Sequence, residues 1–322
     1  MKKILIYNSG GGLGDSIQLF DIITSLKKKF GEKNLYYLSA HENHFKKALK
    51  DYNIHLESLE TNIKYFGFRL KHYFYSKNIL KNTIIKKFDL IIDLQSKLRN
   101  SLILKKIPHK SFYSSTLNFK LCSVKKNYDS SKNDLKKIIF NLEKLLDVKI
   151  PFIKYNINSI DKLYFNEAKK LLPKNNYIGF SITQGNEYRK KSWSLNRFIN
   201  IAKKISDNGK QPVFFIEKKN KELINDIKKK INNGIFPELA SSFSGPPLIT
   251  ALATRLDKVI SIDNGIMHMV GLANIPMIVL FGPTNSFKFA PKIKNINILD
   301  SKLIYNSDDI LRIKEEDILK LV

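Results

Sequence analysis

The sequence is short of acidic residues and almost without cysteine. Its 29 Asp and Glu face 56 Lys and Arg, a formal net charge of +27. The single cysteine, Cys122, cannot close an internal disulfide, which fits a reducing, cytoplasmic setting. No apolar run approaches the ~20 residues that a membrane-spanning helix needs. The opening "MKKILIY" has a positive start but only a four-residue apolar run before glycines follow, so it reads as neither leader nor span. There is no Asp-x-Asp triplet, no histidine pair at i, i+4 and no cysteine cluster. Those absences leave no recognisable metal-ligand set, and no metal or cofactor is expected. Solenoid-type repeats and low-complexity tracts beyond the lysine bias are lacking too.

What is present supports real cores. The 322 residues are 43% apolar, with 21 Phe and 14 Tyr, enough for two domains of ordinary size. Strand-like and helix-like segments alternate. Strands are expected at 2–7, 34–40, 88–96 and near 110–115, with helices at 15–30, over "HENHFKKALKDY" and from 97 onward. The rhythm breaks between 147 and 175, then restarts. Strands are expected at 176–183, 211–217, 258–263 and 276–282, and helices at 194–207, 219–231, 246–256 and 266–273. This is an α/β chain of two parallel sheets, with domains at 1–158 and 159–322 and ligands beyond the carboxyl ends of the strands. The tail at 306–322 reads as one or two closing helices, the first capped by Ser307, and could pack back on the first domain.

The charge is uneven. Residues 1–155 carry a net +17 and the remainder +10. Solvated lysines account for much of this, but the concentration also suits a polyanion: nucleic acid, anionic lipid or a phosphorylated glycolipid. One stretch, 64–88, interleaves Tyr65, Phe66, Phe68, Tyr73, Phe74 and Tyr75 with Lys64, Arg69, Lys71 and Lys77. It fits an ordinary helix packed on the sheet, an interfacial surface over anionic lipid, or a base-stacking surface.

Two segments carry chemistry. In "NSGGGLGDSIQ" a strand gives way to Gly10, Gly11, Gly12 and Gly14, then Asp15. A dinucleotide fingerprint would need glycine at Asp15, and a phosphate loop would need a Lys-Ser/Thr ending. A carboxylate in the first helical turn repels phosphate, so the glycines clear space for something else, with Asp15 pointed into it. Asp15 could equally be a helix-end carboxylate that satisfies first-turn amides. In "ISIDNGIMHMVGLANIPMIVLFGPTN", Asp263 ends a buried strand, Asn264-Gly265 makes the turn, and His268 follows near a helix start whose amides suit a pyrophosphate. Alone, that pattern also fits a plain strand-turn-helix with a satisfied histidine.

Together with "DLQSKLRNS" (93–101) and "KSWSLNRFINIAKKISDNGKQPVFFI" (191–216), these segments stand in the order found in glycosyltransferase family 9, the lipopolysaccharide heptosyltransferases, which the chain resembles from residue 2 to about 290. The resemblance implies a GT-B type fold, with two Rossmann-like domains facing each other across a cleft. The first domain would bind the acceptor and the second the nucleotide sugar. It also implies an inverting, metal-independent transfer of a heptose or related sugar from ADP-heptose to a lipopolysaccharide inner-core acceptor, with Asp15 as general base. Lys191 would meet the donor phosphate, with Arg189 and Lys190 as possible substitutes. Asp263, Asn264, Gly265 and His268 would line the diphosphate and sugar pocket, and Glu222 would meet the donor ribose. Gly11, Gly12, Gly14, Gln95 and Arg99 would form the acceptor side. The protein is expected to be a monomer that contacts the cytoplasmic face of the inner membrane without binding nucleic acid.

The sequence departs from the family at Asn8, where a basic residue is common, in its glycine-rich loop, which is usually serine-rich, and at Asn285-Ser286, where Asp-Pro is common. The segment "IEKKNKE" lacks a glycine usual there. Three other readings remain: transfer of another sugar onto a different surface polysaccharide, a basic nucleic-acid-binding protein, and a sugar-nucleotide-binding protein without turnover.

Overall fold

The computed structural model describes residues 3–40, 42–61, 63–81, 83–130, 135–185 and 187–322. Lys2, His41 and Asn82, which the expected segments include, lie outside the described residues. The chain divides into two compact units, Met1–Asn156 and Ile157–Val322.

In the first unit, β1 (Ile4–Asn8), β2 (Leu35–Ser39), β3 (Glu57–Ser58), β4 (Phe88–Asp93) and β5 (His109–Ser114) form a parallel sheet in the order β3-β2-β1-β4-β5. β1 and β4 are apolar runs rather than alternating ones, as expected of central parallel strands covered on both faces. Leu5 of β1 sits between Tyr36 and Ile91 on its neighbours. The core on one face gathers Leu5, Tyr7, Phe66, Phe88, Ile91, Ile103 and Phe112.

The expected helix at 15–30 is two helices, Leu13–Ile17 and Phe20–Phe30. They are separated by a tightened step at which the Leu19 amide bonds the Ser16 carbonyl. Over "HENHFKKALKDY" there is no α-helix among the described residues, only 3-10 turns at His44–Lys46 and Lys50–Tyr52. The Asn43 side chain takes the Phe45 amide, offering the backbone an alternative to a continuing helix, and Asn53 closes the segment in a left-handed conformation. Among the described residues of 64–88, turns surround one short helix, His72–Ser76. Positive φ at Tyr65 and Gly67 keeps a helix from running through the start of the stretch.

In the second unit, β6 (Tyr177–Ser181), β7 (Gln211–Phe214), β8 (Lys258–Ile262), β9 (Met277–Phe281) and β10 (Ile296–Asp300) form a parallel sheet in the order β10-β9-β8-β6-β7. Gly179, in the middle of β6, is where a Cβ would come within 2.7 Å of Leu256 and Val259, so the strand packs too closely there for any side chain. β3 and β10 escaped the sequence reading, the first being two residues long and the second flanked by lysines.

The tail belongs to the second unit, where the sequence alone had allowed the first as its home. Ile310, Ile313 and Ile318 lie in that unit's core with Trp193 and Phe198. Trp193 Nε1 donates to the Ile313 carbonyl at 3.0 Å. Gly282 of "FGPT" explains itself here, because a Cβ would strike Ile310 Cβ at 2.8 Å. Ser307 does not cap an α-helix. Asp300 caps the helix Ser301–Tyr305, and Asp309 caps the short turn Ile310–Arg312.

Candidate active site

In an open parallel sheet, ligands gather beyond the carboxyl ends of the two strands where the order reverses. In the first unit those strands are β1 and β4; in the second they are β6 and β8. The sequence-predicted residues cluster at these two places, with Arg99 further along a helix and Glu222 at the edge of a pocket.

In the first unit, Asn8 ends β1 buried, and its side chain organises the glycine loop. Its Oδ1 accepts from the Gly10 amide at 3.0 Å and from Gln95 Nε2 at 2.9 Å, while its Nδ2 donates to the Asp15 carbonyl at 3.4 Å. The loop is thereby tied to the segment after β4. Asp15 is the third residue of Leu13–Ile17, half-buried, and its Oδ2 accepts from the Gly12 amide at 3.2 Å. A Cβ on Gly10 would lie 2.6 Å from Asp15 Cβ and Cγ, so the space that this glycine clears is filled by the Asp15 side chain itself. Gly11 and Gly12 are exposed and Gly14 is buried. The Gly11 carbonyl lies 3.2 Å from His44 Nε2, a residue not anticipated from the sequence.

Gln95 is half-buried and its side chain donates to Asn8. Its amide bonds Asp93 Oδ1 at 2.9 Å. Asp93 opens the "DLQSKLRNS" segment, where the sequence alone assigns it no role. It is buried at the end of β4 and takes the hydroxyls of Ser101 at 2.5 Å and Ser114 at 2.8 Å on Oδ2. Burial pushes its carboxyl up to about 6, and these hydrogen bonds only partly offset that. Arg99 is exposed. Its Nε donates to the Gly67 carbonyl at 3.2 Å and its guanidinium lies over Phe68.

In the second unit, Asp263 follows β8 directly and is buried. Lys191 forms an ion pair with Asp263 Oδ2, and Thr284 Oγ1 donates to the same oxygen at 2.6 Å. The Lys191 amide is held by Gln184 Oε1 at 2.8 Å. Asn264 caps the helix Gly265–Leu272 by accepting from the Met267 amide at 2.9 Å. Its Nδ2 reaches across to β6, donating to Ser181 Oγ at 2.7 Å and to the Thr183 carbonyl at 2.8 Å. Lys191, Asp263 and Asn264 thus form one cluster spanning the ends of β6 and β8. Gly265 opens the helix, and His268 is buried in its first turns. Arg189 and Lys190 are exposed.

Beside this cluster opens a pocket of about 890 Å³, lined among others by Thr183, Gln184, Trp193, Asn220 and Glu222. Glu222 stands exposed in the first turn of the helix Lys221–Lys230, on the pocket's edge. Among the described residues no group of three His, Cys, Asp or Glu side chains is placed to hold a metal, and no helix is long and apolar enough to cross a membrane.

Asp93, Asn8 and Thr284 could have been found from one signal, a polar residue closing or following an apolar strand. His44 could not, because its contact depends on how a 3-10 turn lies against the glycine loop.

The chain matches the family model of glycosyltransferase family 9 (heptosyltransferase) over residues 79–317. A curated relative, lipopolysaccharide heptosyltransferase 1 of Campylobacter coli, is 26% identical over 270 residues, covering 77% of this chain and 79% of that protein. Among solved structures, a family 9 glycosyl transferase from Veillonella parvula superposes with a TM-score of 0.68 at 20% identity, covering 99% of this chain and 95% of the other. The E. coli heptosyltransferase WaaC with ADP-2-deoxy-2-fluoro heptose gives 0.67 at 14% identity, covering 99% and 98%. At such identities the two structures speak for the fold, which is of the GT-B type.

Proposed function

The chain belongs to glycosyltransferase family 9, the heptosyltransferases, and from that premise we propose that it transfers a heptose from ADP-heptose to the inner core of a lipopolysaccharide acceptor, inverting the anomeric carbon. The first unit holds the acceptor and the second the donor. An acceptor hydroxyl oxygen attacks the anomeric carbon and its proton passes to the Asp15 carboxylate, a general-base step worth roughly 10²–10⁴-fold in rate. The bond from the anomeric carbon to the diphosphate breaks, and the departing diphosphate takes the electron pair. Lys191 answers that growing negative charge. Its ammonium is held in place by Asp263, so it need not be ordered at the moment of reaction. The helix that begins at Gly265 offers its first amides to the same phosphates, and His268 donates to a phosphate oxygen. The pocket edged by Glu222 takes the ribose and base.

The observation that carries this reading is the setting of Asp15. Its side chain is held over Gly10 and by the Gly12 amide, at the carboxyl end of β1, where substrates of such sheets bind. This arrangement also satisfies a helix end, so the role must be tested by turnover. Asp15→Asn is expected to lower transfer from ADP-heptose at least about 100-fold while leaving ADP-heptose affinity unchanged, measured by coupled nucleotide release and by calorimetry. Transfer at a normal rate would remove Asp15 as the base. Binding without turnover by the unaltered protein, across a panel of nucleotide sugars and core acceptors, would favour a sugar-nucleotide sensor. Turnover with a different sugar would keep the mechanism and change the substrate. The protein works as a monomer, in peripheral contact with the cytoplasmic face of the inner membrane.

A further inference from the structure

The stretch 64–88 is not a helix laid on the sheet. It is a pinned strap with two characters. Phe66, Leu80 and Ile85 are buried in the first unit's core. His72 stacks on Phe66 with ring centroids 5.8 Å apart and accepts the Gly67 amide at 3.1 Å. Gly67 itself is pressed against the Tyr7 hydroxyl, where a Cβ would come within 2.4 Å. The strap is therefore fixed, and what it turns outward is a property of the fold.

It turns outward large apolar groups. Leu70 is 72% exposed, Phe74 75%, Tyr75 55% and Ile84 94%. The neighbouring helix Leu98–Leu104 adds Leu98 and Leu102, one turn apart and both exposed. Soluble surfaces seldom gather so many large apolar side chains without a partner for them. The two elements are joined by cations over rings, Lys106 above Tyr73 at 4.7 Å and Lys97 and Arg99 each 5.9 Å from Phe68. Exposed Lys64, Arg69, Lys71 and Lys77 lie along the strap, and no acidic residue occurs from Lys64 to Phe88.

We propose that this face docks the first unit on an anionic lipid bilayer, its rings and aliphatic chains entering the headgroup region and its lysines meeting lipid phosphates. Charge complementarity argues for a polyanion, and the aliphatic groups decide which kind. Leu70, Ile84, Leu98 and Leu102 offer nothing to a stacked base but gain from leaving water at the acyl boundary. The helix Leu98–Leu104 follows directly on the Gln95 segment that braces the Asp15 loop. A lipid-linked acceptor would thus be presented beside that loop. The proposal deepens the reading of a glycolipid acceptor, but its test does not depend on transfer.

The test is sedimentation of the full chain with vesicles of phosphatidylethanolamine and phosphatidylglycerol, and with vesicles of phosphatidylcholine alone. Binding is expected only to the anionic vesicles and is expected to weaken as salt rises. The double variant Phe74→Ser, Tyr75→Ser keeps the net charge, and both side chains are exposed, so its thermal unfolding should match the unaltered protein. Its partitioning onto anionic vesicles is expected to fall roughly tenfold or more. Undiminished binding by that variant would mean that a protein of charge +27 simply adheres through lysines anywhere, and would overturn the proposal. Retention of a single-stranded oligonucleotide that the same variant loses, with no vesicle binding, would overturn it in favour of nucleic acid. Failure of the protein to transfer heptose to a water-soluble core fragment would count against the catalytic reading and leave this one standing.

Discussion

Asp93 ends β4 buried among two hydroxyls and a backbone amide, and the free energy of that burial can be measured. Its carboxyl titrates near 6 when folded, against the usual 3.8. Between those values the folded protein binds a proton that the unfolded chain has released, so stability falls as pH rises through the window. Above about 6 the folded state carries the full cost of an ionised buried group, about 3 kcal/mol at 1.36 kcal/mol per unit. Asp93→Asn removes this titration. The stability of the unaltered protein minus that of the variant, from denaturant unfolding at several pH values, should decline by up to about 3 kcal/mol from pH 4 to pH 7. A flat difference would mean that Asp93 ionises like an exposed carboxyl. Asp263 sits at the corresponding strand end of the second unit, yet it has Lys191 beside it.

At the scale of elements, the helix Gly265–Leu272 depends on Asn264 twice. The side-chain oxygen caps the helix, and the amide nitrogen stitches its start to β6. Asn264→Ala is expected to cost about 1–2 kcal/mol through the lost cap and the unpaired groups left behind. It should also weaken donor binding, which Asn264→Ser, keeping an acceptor for the cap, should partly restore. Parallel thermal melts and nucleotide titrations check both. The helix was readable in the sequence from "DNG" and the apolar run after it. The reach of Asn264 to Thr183 was not, because it joins residues 81 positions apart. Gly10 teaches the same point. The sequence already aims Asp15 into the space that the glycines clear, but only packing shows that the Asp15 side chain fills the place of a Gly10 Cβ. The helix read over "HENHFKKALKDY" failed because spacing sees Phe45, Leu49 and Tyr52 turned inward and cannot see Asn43 competing for the backbone.

For the whole molecule, the alternation of apolar runs made two parallel sheets legible. The edge strands β3 and β10 were not, the first being two residues long and the second set between lysines, whereas the edge strands β5 and β7 could be read. Each unit has its own reversal of strand order and its own cluster of polar side chains there. The proposed division of labour predicts where a ligand is felt. Added ADP should slow amide hydrogen exchange at 181–192 and 263–268, by stabilising the bound state of that unit, before any change at 8–15. Protection first at the glycine loop would reverse the assignment of donor and acceptor.

The closing residues carry more than their plain sequence suggests. Trp193 stands two residues from Lys191 and leans on the Ile313 carbonyl, while Ile313 and Ile318 are sealed into the same core. A copy of the gene cut short by a dozen codons would keep all four signature segments, and a scan for motifs would pass it as intact. What it would lack is the support of Trp193, two residues from the lysine proposed to meet the donor.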